Sequence, residues 1–239
     1  MNCSQNDKLK VAQMYDSVAE IYEERTMSLT HFQASVRAFL AENVHAGQRI
    51  LDLGCGPGHL TSALPLDVEV VGLDISTAMV DAARRKRPSG TYLVHDFHRS
   101  LPAELGKFDA IVASGCFDFC EDLVQVIGNV AAALALGGRF YFTINERRAE
   151  LPFHDARWID AAGGQADIRM FFWTFSETAA AIETSGLRPL TYRHAPGWEH
   201  EALQTAIYYG YWVVEHPRIM EQAAQELHSA DGDGPVPRS

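Results

Sequence analysis

The sequence predicts an α/β fold: a mostly parallel sheet, with helices on both faces, that closes on an antiparallel pair. Between residues 45 and 145 the short β-branched or aromatic runs RILDLG, VEVVGLDI, TYLVHDF, FDAIVAS and GRFYFTIN alternate with helical patterns around Leu60, Met79 and Val126. The runs VVGL and AIVAS are apolar throughout, as strands covered on both faces must be. Two later runs, LRPLTYRH and ALQTAIYYGYWVV, are joined by a polar stretch too short to carry a crossover helix, so they pair antiparallel.

Ahead of the first strand, Leu9, Val11, Ala12, Met14, Tyr15, Val18, Ala19 and Tyr22 recur at helical spacing, and a second such pattern covers residues 32–44. After Asn145 the alternation weakens through the aromatic segment IDAAGGQADIRMFFWTF. A helix over 176–184 is expected next, capped by Ser176 and stopped by Gly186. The tail ADGDGPVPRS has the composition of a disordered segment.

At 239 residues and 47% apolar content the chain buries a substantial core, and one large domain is expected. The net charge of -11 includes no dense Lys/Arg tract to follow a phosphate backbone, which argues against a large nucleic acid partner. The first residues lack an apolar signal region and no run reaches a membrane span, so a cytoplasmic protein with no membrane partner is expected. Cys3, Cys55, Cys116 and Cys120 form no C-x-x-C pair and read as free thiols.

The stretch ILDLGCGPGHLT places Gly54, Gly56 and Gly58 at alternate positions between a strand and a helical pattern. Residues without a β-carbon let a ligand approach bare backbone there. A dinucleotide fingerprint needs its third glycine where His59 stands, and Pro57 removes an amide donor, so a pyrophosphate fits poorly. Asp74 ends the second strand about 20 positions on, where a carboxylate accepts ribose hydroxyls. Asp96 and Phe97 end the third strand and suit an adenine edge. Three consecutive strand tips thus carry ligand chemistry.

These residues resemble the class I S-adenosylmethionine-dependent methyltransferases, in members acting on small molecules. Residues 52–58 resemble the family's first motif, residues 72–76 its second, Asp96-Phe97 its third and residues 108–112 its fourth strand, while Gly137-Gly138-Arg139-Phe140 resembles the turn into its fifth. The resemblance spans roughly residues 45–217. It implies a Rossmann-like sheet of about seven strands with an antiparallel last strand, helices on both faces and an N-terminal helical lid. The division it implies is a lid over 1–45, a core over 46–217 with an insert at about 147–175, and a C-terminal helix and tail over 218–239.

The resemblance also implies S-adenosylmethionine as cofactor and S-adenosylhomocysteine as product. Gly54, Cys55 and Gly56 would lie under the cofactor, with Asp52 near its amino group and Asp74 on its ribose. Ile75 and Met79 would line the adenine, Asp96 and Phe97 would address its edge, and Ser114 would present a carbonyl. Tyr15 or Tyr22 would cover the methionine moiety, although both also sit on the apolar helical face.

Methyl transfer from a sulfonium needs positioning and exclusion of water more than a dedicated acid or base. Where the acceptor must lose a proton, the candidates are Asp118, His194 and Tyr22, with His154 and His200 behind them. Phe117, Phe172 and Trp198 are candidates for an apolar acceptor pocket. His95 and His98 flank Asp96, but no acidic metal-binding cluster follows the fourth strand, so no metal is expected. Oligomerisation stays open, as do two other readings, a non-catalytic cofactor-binding module or partner subunit and a nicotinamide-dependent oxidoreductase.

Overall fold

The computed structural model describes residues 5–26, 30–147, 152–159, 163–200 and 205–218. The expected C-terminal helix and tail, and Cys3, lie outside these.

Three helices open the chain: α1 (Gln5–Val18), α2 (Tyr22–Thr26) and α3 (Thr30–Asn43). Strands β1 (Arg49–Leu53), β2 (Glu69–Asp74), β3 (Thr91–Val94), β4 (Phe108–Ala113) and β5 (Leu134–Glu146) follow, with α4 (Thr77–Lys86) and α5 (Leu123–Ala133) among them. Then come β6 (Phe153–Ile159), β7 (Gln165–Phe171), α6 (Phe175–Thr184), β8 (Arg188–His200) and β9 (Thr205–Glu215). The seven-stranded sheet has the order β3-β2-β1-β4-β5-β9-β8. β1 to β5 pair parallel, while β9 lies between β5 and β8 and runs antiparallel to both.

Neighbouring strand residues face opposite sides of the sheet, and the two cores divide accordingly. Leu51, Leu53, Ile111, Phe140 and Phe142 pack with Val126 and Ile127 of α5 and Ile182 of α6. Ile50, Ala110, Val112 and Tyr141 pack on the other side with Val36 and Phe39 of α3 and Val80 of α4. Every one of these side chains is essentially buried, which is why the strands read as continuous apolar runs.

Three local expectations change. Behind the glycine turn, around Leu60, the chain forms successive turns instead of a helix. Single bonds from Ser62 N to Gly58 O (2.9 Å) and from Leu64 N to Thr61 O (3.2 Å) replace a helical ladder. The guanidinium of Arg87, 3% exposed, donates to the carbonyls of Ser62, Leu64, Pro65 and Val68. Those acceptors are satisfied from outside the segment, and Pro65 blocks helical continuation.

The cap of α6 is Thr174, not Ser176. Its hydroxyl accepts from the Glu177 amide (3.2 Å) and the Glu177 carboxylate accepts in return from the Thr174 amide (2.8 Å), a reciprocal capping box. The aromatic insert is a hairpin, β6 paired antiparallel with β7. Alternation places Ile168 and Met170 inside and Gln165 and Asp167 outside, and the hairpin packs on α1 and the short 3-10 turn Phe117–Phe119.

Candidate active site

The tips of β1, β2, β3 and β4 meet the lid helices α1 and α2 around one cleft of about 780 Å³. At the tip of β1, Gly54 (φ 70°) and Gly56 (φ 51°) both adopt left-handed conformations. A β-carbon on Gly54 would lie 2.4 Å from that of Cys116, so Gly54 permits the approach of two strand tips. A β-carbon on Gly56 would meet only Tyr22 at 3.9 Å, so bare backbone there faces open space.

At the tip of β2, Asp74 accepts from the amides of Gly56 (2.8 Å) and Ser76 (2.9 Å), one on each oxygen. Burial pushes its carboxyl up and these amides restrain the rise. Each oxygen keeps further acceptor capacity. Ile75 and Met79 add apolar surface to the cleft.

At the tip of β3, Asp96 accepts from Lys8 of α1 (2.9 Å) and from the ring Nδ1 (2.8 Å) and amide (3.0 Å) of His98. Burial alone would raise its carboxyl, but the bonds from His98 and Lys8 outweigh that and hold it well below the usual range. Phe97 stacks on His98 at 4.5 Å. At the tip of β4, Ser114, Gly115 and Cys116 complete the wall, and the Cys116 thiol donates to Leu53 O (3.1 Å). Burial pushes that thiol well up, so it is no ready thiolate.

The lid is fastened to this frame. Asp16 of α1 accepts from Ser76 Oγ (2.6 Å) and the Ala78 amide (2.9 Å) at the start of α4, and Glu20 pairs with Arg85. Tyr15 meets Tyr22 and Phe119 edge-on, each at 5.9 Å. Burial and nearby carboxylates raise both phenols, Tyr22 to about 12. Tyr22 is therefore a hydrogen-bond donor near neutral pH, and not the proton acceptor expected from its position.

A second cavity adjoins the first, sharing Tyr15, Ser114, Gly115 and Phe119. It also holds Asp118, whose carboxyl burial pushes up to about 7, with Asn145 drawing it back.

The cleft thus gathers Tyr15, Tyr22, Gly54, Gly56, Asp74, Ile75, Met79, Asp96, Phe97 and Ser114. It does not gather the rest. Asp52 has the parity that faces α3 and α4, lies 2% exposed beneath the glycine turn, and accepts from Thr61 Oγ1 (2.9 Å). Burial raises its carboxyl to about 7. Cys55 is buried with its sulfur toward Gly72 of β2. Phe117 is fully buried against Phe97, Phe140 and Phe142, so it supports the wall instead of lining it. Phe172 is 2% exposed, covered under the insert, and lines neither cavity.

His194 is exposed on β8 opposite Gly210, beside Tyr192 and Tyr208 and outside both cavities. The main chain of Trp198 pairs with Ile207, and its side chain lies outside the described ones. Lys8, Asp16, His59, Phe119 and Tyr209 were missed from sequence. Lys8, Val11 and Tyr15 do share one helical face by their i, i+3, i+7 spacing, a face from which the sequence reading took only Tyr15 toward the cofactor.

The family profile described as "Methyltransferase domain" matches residues 50–138, strands β1 to β4 and the glycine turn. These residues, under half of the chain, are thus similar to a methyltransferase domain. A second profile, protein-L-isoaspartate(D-aspartate) O-methyltransferase, matches residues 5–91. The demethylmenaquinone methyltransferase of Beutenbergia cavernae is 38% identical over 137 residues, 56% of this chain and 57% of its own. The trans-aconitate 2-methyltransferase of Paracidovorax citrulli is 30% identical over 135 residues, 52% of each chain. The methyltransferase domain therefore matches only about half the length of these relatives.

Among solved structures, the 1,6-didemethyltoxoflavin-N1-methyltransferase of Burkholderia thailandensis shares the fold, with a TM-score of 0.60 and 16% identity over 91% of this chain and 92% of its own. A DhpI–S-adenosylhomocysteine complex does likewise, with a TM-score of 0.64 and 18% identity over 91% of this chain and all of its own. S-adenosylmethionine is the cofactor of this domain class, and the cleft fits it in two respects. Gly56 leaves bare backbone against open space, and Asp74 offers spare lone pairs beside it.

Proposed function

We propose that the protein transfers a methyl group from S-adenosylmethionine to oxygen, nitrogen or carbon of a small-molecule acceptor, without a metal ion. The observation that carries this is the junction of the two cavities at Ser114, Gly115 and Phe119, where a cofactor cleft opens beside a separate acceptor space. When bound, the cofactor supplies an electrophilic methyl carbon on a sulfonium sulfur.

The chain's residues position and shield. Asp74 would take the ribose hydroxyls, Ile75 and Met79 the adenine faces, and Asp96, still paired with Lys8, the adenine amino group. Tyr15 and Tyr22 of the lid would exclude water over the methionine moiety. Asp118, buried at the wall of the second cavity, would orient the acceptor and take its proton where one must leave. In this reading residues 1–45 act as lid, 46–217 as core and the insert at about 147–175 as part of the acceptor wall. The free thiols of Cys55, Cys116 and Cys120 support a reducing compartment such as the cytoplasm.

A dinucleotide reading loses support from the glycine turn itself, because no helix starts behind it to face a pyrophosphate. Calorimetric titration with S-adenosylmethionine, S-adenosylhomocysteine and NAD tests the proposal. Binding of the first two and not the third is expected, and NAD binding alone would refute it.

A further inference from the structure

The second cavity, about 1290 Å³ including space open to solvent, is walled in large part by the rings of Tyr15, Phe119, Trp158 and Tyr209 and by Leu60 and Met170. Two of its lining residues carry a buried polar atom with no hydrogen-bond partner: Asp118 Oδ1, from the turn after β4, where the neighbouring Asn145 amide that draws the carboxyl down is itself left without a bond, and His59 Nδ1, from the turns after β1. Such an orphan is costly to leave unmade, so a ligand satisfying both gains affinity and a fixed orientation.

The electrostatics exclude one large class of ligand. Burial, then Arg37, holds the His59 imidazole below its usual range and therefore neutral at neutral pH. The phenols and thiol that sense Asp118, those of Tyr15, Tyr22, Tyr209 and Cys116, are all pushed up and uncharged. Arg157 on the wall is exposed and paired with Asp167 at 3.2 Å. An incoming carboxylate would meet the Asp118 carboxyl; among the described lining residues the only arginine or lysine is the paired Arg157, and Arg37, which acts on His59, is exposed and lies outside the lining.

We infer that the acceptor is an uncharged, ring-bearing molecule that donates a hydroxyl or N–H to Asp118, takes its second polar contact from His59, and is not a carboxylate. This rests on the methyl-transfer reading above. The acceptor's oxygen or nitrogen forms the new bond to the methyl carbon as the carbon–sulfur bond breaks, its electron pair returning to sulfur to leave a neutral thioether. The acceptor's proton passes to the Asp118 carboxylate and from there to solvent. Relatives named for trans-aconitate and for demethylmenaquinone stand on opposite sides of this division, the first an acid and the second a quinone derivative.

The test uses the full chain saturated with S-adenosylhomocysteine and titrated at pH 8 with two probes of equal ring size, 2-naphthol and 2-naphthoate. The hydroxyl probe is expected to bind at least about tenfold more tightly, ~1.4 kcal/mol. Asp118→Asn is expected to collapse that ratio by weakening 2-naphthol and relieving repulsion of 2-naphthoate, and His59→Leu to weaken 2-naphthol alone. Retained S-adenosylhomocysteine binding shows that each variant is folded; if one is not, the wild-type ratio decides. Equal or tighter binding of 2-naphthoate overturns the inference, as does failure of both probes at millimolar concentration. A wild-type protein that does not bind S-adenosylhomocysteine refutes the methyl-transfer reading instead.

Discussion

Two aspartates near the glycine turn show how much depends on which way one side chain points. Asp74 faces the cleft and keeps free lone pairs, whereas Asp52 is sealed beneath the turn with Thr61. Asp74→Asn should weaken S-adenosylmethionine binding about tenfold or more, since a hydrogen bond to a charged group is worth ~1.5–3 kcal/mol. Asp52→Asn should leave that affinity within a few-fold; an equal loss in both would place Asp52 in the binding site after all. Asp52 has a second consequence. Its carboxyl is raised by burial from 3.8 to about 7, so between those values the folded chain holds a proton that the unfolded chain has released. Stability therefore falls as pH rises through this window and stays at the lower level above it. Asp52→Asn should melt several degrees above wild type at pH 8 and near it at pH 4, given roughly 2–4 °C per kcal/mol for a chain of this size.

At the scale of elements, α6 gives a direct comparison between sequence and structure. Thr174 and Ser176 both precede an apolar helical pattern, and the glutamate three residues on, Glu177, belongs to a capping box with Thr174, whereas Ser176 has Ala179 at that spacing. Thr174→Ala should cost about 1 kcal/mol, and Ser176→Ala a few tenths at most. Thermal melts of the two variants check this, and the reverse order would move the cap. The central parallel strands β2 and β4 were legible because both faces are covered and VVGL and AIVA read as unbroken apolar runs; the edge strand β3, with Thr91 and Val94 exposed, was legible by its β-branched and aromatic residues. The antiparallel close was legible because its link is short. The turns around Leu60 were not, since their carbonyls are satisfied by Arg87, 19 to 25 residues away, and nothing local records that. The same limit applies to the site. Residues at strand tips were found by their position behind a strand. Lys8, Asp16 and His59 reach the cleft, its anchor and the second cavity only through tertiary packing.

Across the whole molecule, the cleft is closed by a helix that contributes no strand and little apolar surface to the sheet. α1 meets α4 through a small apolar patch, Val18 with Met79, and is otherwise tied by polar contacts, Asp16 with Ser76 and Ala78 and Lys8 with Asp96, while just beyond its end Glu20 pairs with Arg85. Exposed or half-exposed ion pairs contribute little each. The buried core, by contrast, is carried by strands and helices whose side chains exclude water from both faces of the sheet. These two kinds of attachment should separate in local opening free energy, with α1 exchanging its amides through openings that leave the sheet intact. Asp16→Ala removes two of the anchoring bonds at once and should speed hydrogen exchange in α1 several-fold while leaving β1, β4 and β5 unchanged. Saturating S-adenosylhomocysteine should slow α1 again, because a ligand beneath Tyr15 and Tyr22 stabilises the closed lid by mass action. If β1 and β4 accelerated together with α1, the helix would be part of the cooperative core, and residues 1–45 would not form a lid that opens independently to admit the cofactor.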